Sequence, residues 1–214
     1  MLESQKLNQI SNWNRFIEVG DQVSLSLIYS ENYDLLYDYG LRYTSDIKIV
    51  EDSIQEVFIS IIKYRSKIGI VKNIQGYLIS SFRRQLFLSL NSKKRTISMD
   101  LMPEGTFDYF KSPDNEISDK EDIEFLHTAI NDCISKLTNK QKEIMFLKFE
   151  RDIPYEEIAT ILNISVESCY KSIYRTIKTI RCVVERRIVN SGKLIFGFSS
   201  EQIAKMKSQN SQGN

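Results

Sequence analysis

Residues 154–181 read PYEEIATILNISVESCYKSIYRTIKTIR, and the spacing of their apolar positions decides the fold. Tyr155 to Leu162 set Ile158, Ala159 and Leu162 along one side of a short helix. Asn163 tolerates a left-handed turn, Ile164 is an apolar plug, and Ser165 is a residue type that caps a following helix. Small Ala159 lets that second helix cross closely. Cys169, Ile173, Ile177 and Ile180 form its inward stripe, while Glu167, Tyr170, Lys171, Tyr174, Arg175 and Lys178 face outward. The pattern is a helix-turn-helix. A two-helix hairpin on its own usually serves packing, but here the turn, the plug and the basic outer face agree and favour DNA. Ser165, Val166, Glu167, Ser168, Tyr170 and Lys171 then meet base edges in a major groove. Tyr174, Arg175 and Lys178 follow along the same face, with the cations on phosphates.

Working outward, nearly every periodic stretch has helical spacing, and only three prolines and eight glycines interrupt it, so the expected class is all-α. A helix is expected from about Gln22 to Tyr43. Asp46 is a candidate N-cap for the next, in which Ile47, Val50, Ile54, Val57, Phe58 and Ile61 make the cleanest apolar stripe in the chain. Its opposite face carries Glu51, Asp52, Gln55 and Glu56. A third helix is expected from about Ile74, with Tyr77, Leu78 and Phe82 on one side. Thr138 and Gln141 have the spacing of a capping box.

The 29 lysines and arginines nearly cancel the 28 aspartates and glutamates, so net charge says nothing about a polyanionic partner. Local charge says more. From Lys63 to Arg95 every charged side chain is basic, and from Asp100 to Glu124 nearly all are acidic. Solvated surface explains such blocks; they also suit two polyanion-binding regions separated by an acidic strip. Residues 96–119 hold Pro103, Gly105 and Pro113 without sustained period and read as a flexible linker. The expected division is a helical domain at 1–95, the linker, a helix-turn-helix domain at 120–188 and a polar tail at 189–214.

Other classes find little support in the sequence. No apolar run approaches 18 residues and the polar start lacks a secretory layout, so a cytoplasmic protein is expected. Cys133, Cys169 and Cys182 are odd in number and suit core packing in a reducing compartment. With His127 as the one histidine and no CxxC, neither a zinc site nor any other cofactor is expected. No phosphate-binding glycine loop or activated nucleophile suggests an enzyme.

The segment LTNKQKEIMFLKFERDIPYEEIATILNISVESCYKSIYRTIKTIR resembles region 4 of the extracytoplasmic-function (ECF) branch of bacterial sigma factors. IVEDSIQEVFISIIKYR, residues 49–65, resembles their region 2, and LIYSENYDLLYDYGLRYTSD and GYLISSFRRQLFLSLNSKKR flank it in matching order. The resemblance covers most of residues 20–185. It implies that Glu51, Asp52, Gln55 and Glu56 dock on core RNA polymerase. It also implies that the loop Ser66–Asn73 and its surroundings, through Lys67, Lys72, Asn73, Tyr77, Arg83 and Arg84, capture the opened minus-ten element of promoter DNA. Cations with an aromatic suit single-stranded DNA. The helix-turn-helix would read the minus-thirty-five element, and an anti-sigma factor is a partner type the family commonly has. Three features depart from the family: Arg83-Arg84 and Leu88 stand near the end of region 2 where many members carry an Arg-Asn pair and a later aspartate, Asp152 and Pro154 replace a common glycine and a serine or threonine, and the chain extends past Arg187. The rival reading is a stand-alone helix-turn-helix regulator, which accounts for residues 138–187 but gives no reason for the helix at 49–65.

Overall fold

Gly20 takes a positive φ of 78°, and Asp21 opens a new helix by accepting from the Ser24 amide at 3.2 Å. These two signals separate α1 (Leu2–Val19) from α2 (Gln22–Leu41). The computed structural model describes residues 2–93, 107–109 and 131–191. The sequence reading placed no helix before Gln22. Among the described side chains of α1, the buried apolar ones are Trp13 and Phe16, too few to stand out as a stripe.

The expected N-cap is present at Asp46, whose carboxylate accepts from the Ile49 amide at 3.3 Å and starts α3 (Ile47–Tyr64). Val50, Ile54, Val57, Phe58 and Ile61 are buried along it, whereas Ile47 is exposed. A single 3-10 turn, Arg65–Lys67, follows. Asn73 then accepts from the Gly76 amide at 3.0 Å, at the start of α4 (Ile74–Lys93). Gly40 lets α2 pass close to both neighbours, because a Cβ there would lie 2.7 Å from Val50 and 2.9 Å from Phe82.

In the second half residues 131–135 are helical. Both arms of the Thr138–Gln141 capping box are made, opening α5 (Asn139–Met145). A π-helical turn, Phe146–Glu150, continues it, and then come α6 (Tyr155–Ile161) and α7 (Val166–Ser191). Every regular element among the described residues is helical, as the sequence leads one to expect. None of these helices is long and apolar enough to cross a membrane.

The described parts of the two expected domains share one buried cluster. Tyr39 of α2, Phe82 of α4, Phe146 of the π turn and Ile158 of α6 all belong to it. Phe107, from the stretch read as linker, is fully buried there, with its ring 5.1 Å from that of Tyr43 and 5.9 Å from that of Phe146. The Asp108 amide donates to the Arg42 carbonyl at 2.9 Å, and the Arg42 guanidinium donates to the Tyr109 carbonyl. Linker residues 107–109 are thus tied to the core; the rest of 96–119, together with His127, lies outside the described residues.

A buried ionic contact joins the halves. Arg83 Nε donates to the Glu143 carboxylate at 2.8 Å, and the Tyr39 hydroxyl donates to the same oxygen. Burial pushes the Tyr39 hydroxyl well above the usual tyrosine range, and the neighbouring Glu143 charge adds to this. Burial also opposes the charge on Arg83, but Tyr39 and Glu143 outweigh it and raise Arg83 above the ordinary arginine value. Removing one member strands the other charge without water, which costs about 3–5 kcal/mol. Arg83→Ala should therefore lower the urea midpoint steeply, while Arg84→Ala, at an exposed position, should change stability by under about 0.5 kcal/mol. Equal midpoints for the two variants would contradict this packing.

Candidate nucleic-acid interface

The helix-turn-helix is built by local signals. α6 closes with the Leu162 amide donating to the Ile158 carbonyl at 3.0 Å, and Asn163 enters the left-handed region at φ 51°. The Ile164 amide returns to the Ala159 carbonyl at 2.9 Å, which seats the plug over the buried alanine. Ser165 Oγ accepts from the Ser168 amide at 3.1 Å and caps α7. Upstream, Asp152 holds a second left-handed position at φ 48°.

One part of the expected inward stripe of α7 is corrected. Ile177 is 44% exposed and Thr176 is buried in its place, with its hydroxyl donating to the Ser172 carbonyl at 2.9 Å. Among the described side chains of α7 the buried ones are Cys169, Ile173, Thr176 and Val183; steps of three and four residues allow either neighbour, and sequence favoured the apolar one. Burial pushes the Cys169 thiol up, and with Cys133 it serves packing, whereas Cys182 is exposed.

Ser165, Val166, Glu167, Ser168, Tyr170, Lys171, Tyr174, Arg175 and Lys178 are all exposed on one helix, as expected. Two of them have structural ties. The Tyr170 ring packs on Tyr155 with centroids 4.4 Å apart, bracing α6 against α7, and Lys171 pairs with Glu167 at 2.6 Å. That exposed pair is worth about 0.2–1 kcal/mol and can exchange for a phosphate. Exposed Ile177 lines a shallow groove with Tyr174, Lys178 and Arg181.

The six residues expected at the minus-ten element do not form one site. Tyr77 and Arg84 line a groove of about 360 Å³ between α3 and α4, shared with Tyr64, Ile68 and Leu88. Tyr77 meets Trp13 edge-on at 5.4 Å and is half-buried, and Lys67 lies 5.9 Å from the ring centre of Tyr64. Lys72 and Asn73 line a different cleft, of about 500 Å³, together with Asp152, Glu156 and Glu157. Arg83 is withdrawn altogether, being buried against Glu143. Its position beside Arg84 on α4 hid this, since consecutive helical residues point about 100° apart. Tyr64, 47% exposed, was missed in the sequence reading; its place at the end of the apolar stripe gave the only signal.

On α3, Asp52, Gln55 and Glu56 are exposed and Glu51 is half-buried beside Tyr33. Burial raises the Tyr33 hydroxyl and the Glu51 charge adds to the shift. Ile59 and Ile62, each 52% exposed, continue this face toward Tyr64. An acidic and amide surface ending in bare isoleucines suits a basic partner with an apolar rim.

Comparison with known proteins assigns part of this geometry. Residues 127–180, which contain the helix-turn-helix, match the family described as "Sigma-70, region 4". No curated protein sequence matches the chain. Among solved structures, CnrH in complex with the cytosolic domain of CnrY is 12% identical, covering 85% of this chain and 97% of that one at a TM-score of 0.51. The RsbN–BldN complex is 15% identical over 80% of this chain and 98% of that one, but its TM-score is 0.33. The first of these shares the fold across both halves. Residues 127–180, with the helix-turn-helix among them, are thus similar to region 4 of sigma-70 factors.

Proposed function

We propose that the protein binds core RNA polymerase through α3, reads the minus-thirty-five element with α7, and opens and holds the minus-ten element at the groove between α3 and α4. The observation that carries this is the region 4 match, which falls on the helix whose outward face exposes every donor in one row. Ser165 to Lys171 address base edges, and Arg175 and Lys178 neutralise phosphates. At the groove, an unstacked base is held by stacking on Tyr64 or Tyr77 while Lys67 and Arg84 neutralise the strand. The capture offsets a few kcal/mol of unstacking.

We assign the protein to the ECF branch, which the motif order and the fold shared with CnrH support. It acts by binding and catalyses no reaction of its own. Its work on chromosomal promoters places it in the cytoplasm. CnrH is described bound to the cytosolic domain of CnrY, and an anti-sigma domain of that kind is a fitting partner for this chain as well.

Two tests separate the surfaces. Lys171→Ala with Arg175→Ala should abolish promoter-directed run-off transcription while leaving co-elution with core polymerase unchanged. Loss of core binding in that double variant would reject the division of labour. Asp52→Lys with Glu56→Lys should weaken core binding at least tenfold, equivalent to about 1.4 kcal/mol, without lowering thermal stability. Undiminished core binding would remove α3 as the docking surface and favour a regulator that acts on duplex DNA alone.

A further inference from the structure

The first two turns of α7, residues 166–172, carry two charged side chains, Glu167 and Lys171, and no arginine precedes Arg175 on this helix. The other polar groups at this end are already engaged. Ser165 Oγ accepts from the Ser168 amide at 3.1 Å and shares a hydrogen bond with Ser168 Oγ at 2.8 Å, so both hydroxyls serve the cap. The Tyr170 ring is held on Tyr155, with centroids 4.4 Å apart. Glu167 and Lys171 stand out from the same face with 76% and 64% of their side chains exposed, and their charged tips meet at 2.6 Å.

Phosphates repel a carboxylate, and backbone binding alone calls for cations, so Glu167 gains nothing from the DNA backbone. What the major groove offers a carboxylate is an amino group, at cytosine N4 or adenine N6. We propose that Glu167 sets the sequence choice of this helix, and that Glu167 and Lys171 read one C·G base pair as a unit. The carboxylate accepts from the cytosine N4 amino group, and the Lys171 ammonium donates to guanine O6 and N7. This specificity rests on the reading of α7 as the helix that enters the major groove.

Distance and chemistry agree. Cytosine N4 donates to guanine O6 within the base pair, which sets those two atoms about 2.9 Å apart. Glu167 Oε1 and Lys171 Nζ stand 2.6 Å apart, so the ion pair presents acceptor and donor at the spacing at which the base-pair edge presents donor and acceptor. The two side chains remain paired on binding, and the carboxylate never faces the phosphates alone. An A·T pair also sets an amino group beside a carbonyl. There, however, the lysine meets one oxygen next to the thymine methyl in place of the O6 and N7 of guanine, and C·G is favoured.

The test is selection from a random-sequence duplex DNA library by the full chain, alone and with bacterial core RNA polymerase present, followed by sequencing of the recovered duplexes. The unmodified chain should enrich cytosine at one position by about tenfold. Glu167→Ala should flatten the preference there and leave the rest of the selected sequence unchanged. Glu167→Gln should move it from cytosine to adenine, because a carboxamide makes a bidentate contact with adenine N6 and N7. A residue that merely steadied the helix would produce no such switch. Arg175→Ala, at a phosphate-facing position, should weaken binding to all sequences alike. Adenine in place of cytosine with the unmodified chain, or cytosine retained in Glu167→Ala, would overturn the proposal while leaving α7 as the reading helix. No sequence enriched by any form would overturn the placing of α7 in the groove, and the proposal with it.

Discussion

Glu143 is a buried carboxylate that two groups from the other half of the chain must satisfy. Arg83 supplies a cation at 2.8 Å and Tyr39 a hydroxyl, so α2, α4 and α5 are fixed to one another through a single oxygen. A bare carboxylate at that depth would be expensive, and the pair is tolerated because the contacts are short and complete. Around it stand Phe82, Phe107, Phe146 and Tyr43, a ring of aromatics that excludes water and makes the contact directional. Burying each such ring stabilises by about 1.5–3 kcal/mol, but apolar contact alone would allow the halves to slide. The ionic contact sets their register.

That register determines which surfaces face outward. With α4 turned so that Arg83 points inward, Arg84 on the next position faces the groove beside Tyr64 and Tyr77. With α6 seated against the start of α4, α7 projects its row of donors away from the core. The acidic face of α3 is left clear with its isoleucine rim. One packing decision therefore distributes the three proposed binding surfaces, and the same decision sets Lys72 and Asn73 in a cleft with Glu156 and Glu157 of α6.

Local signals were legible in the sequence. Asp46, Thr138–Gln141, Asn163 and Ser165 each act within three residues of themselves, and each is used as its residue type suggests. The α3 stripe was equally plain because both its period and its polar opposite face are strong. What escaped depends on distant partners. Arg83 reads as one of many basic residues until Glu143, sixty positions away, arrives beside it. Phe107 lies in a stretch whose composition says linker, and only the pocket formed by Tyr39, Tyr43 and Phe146 explains why one aromatic is there. Ile177 and Thr176 were exchanged because periodicity fixes a face to within one residue and apolar character cannot decide between neighbours.

The central claim is that these surfaces serve one act, the delivery of polymerase to promoters. It is tested most directly by mixing the purified protein with bacterial core RNA polymerase, resolving the mixture by size, and transcribing fragments of the source genome with the co-eluting fraction. Co-elution with new transcripts starting at defined positions is the predicted result. Separate elution from core polymerase, with affinity for duplex DNA retained, would contradict it.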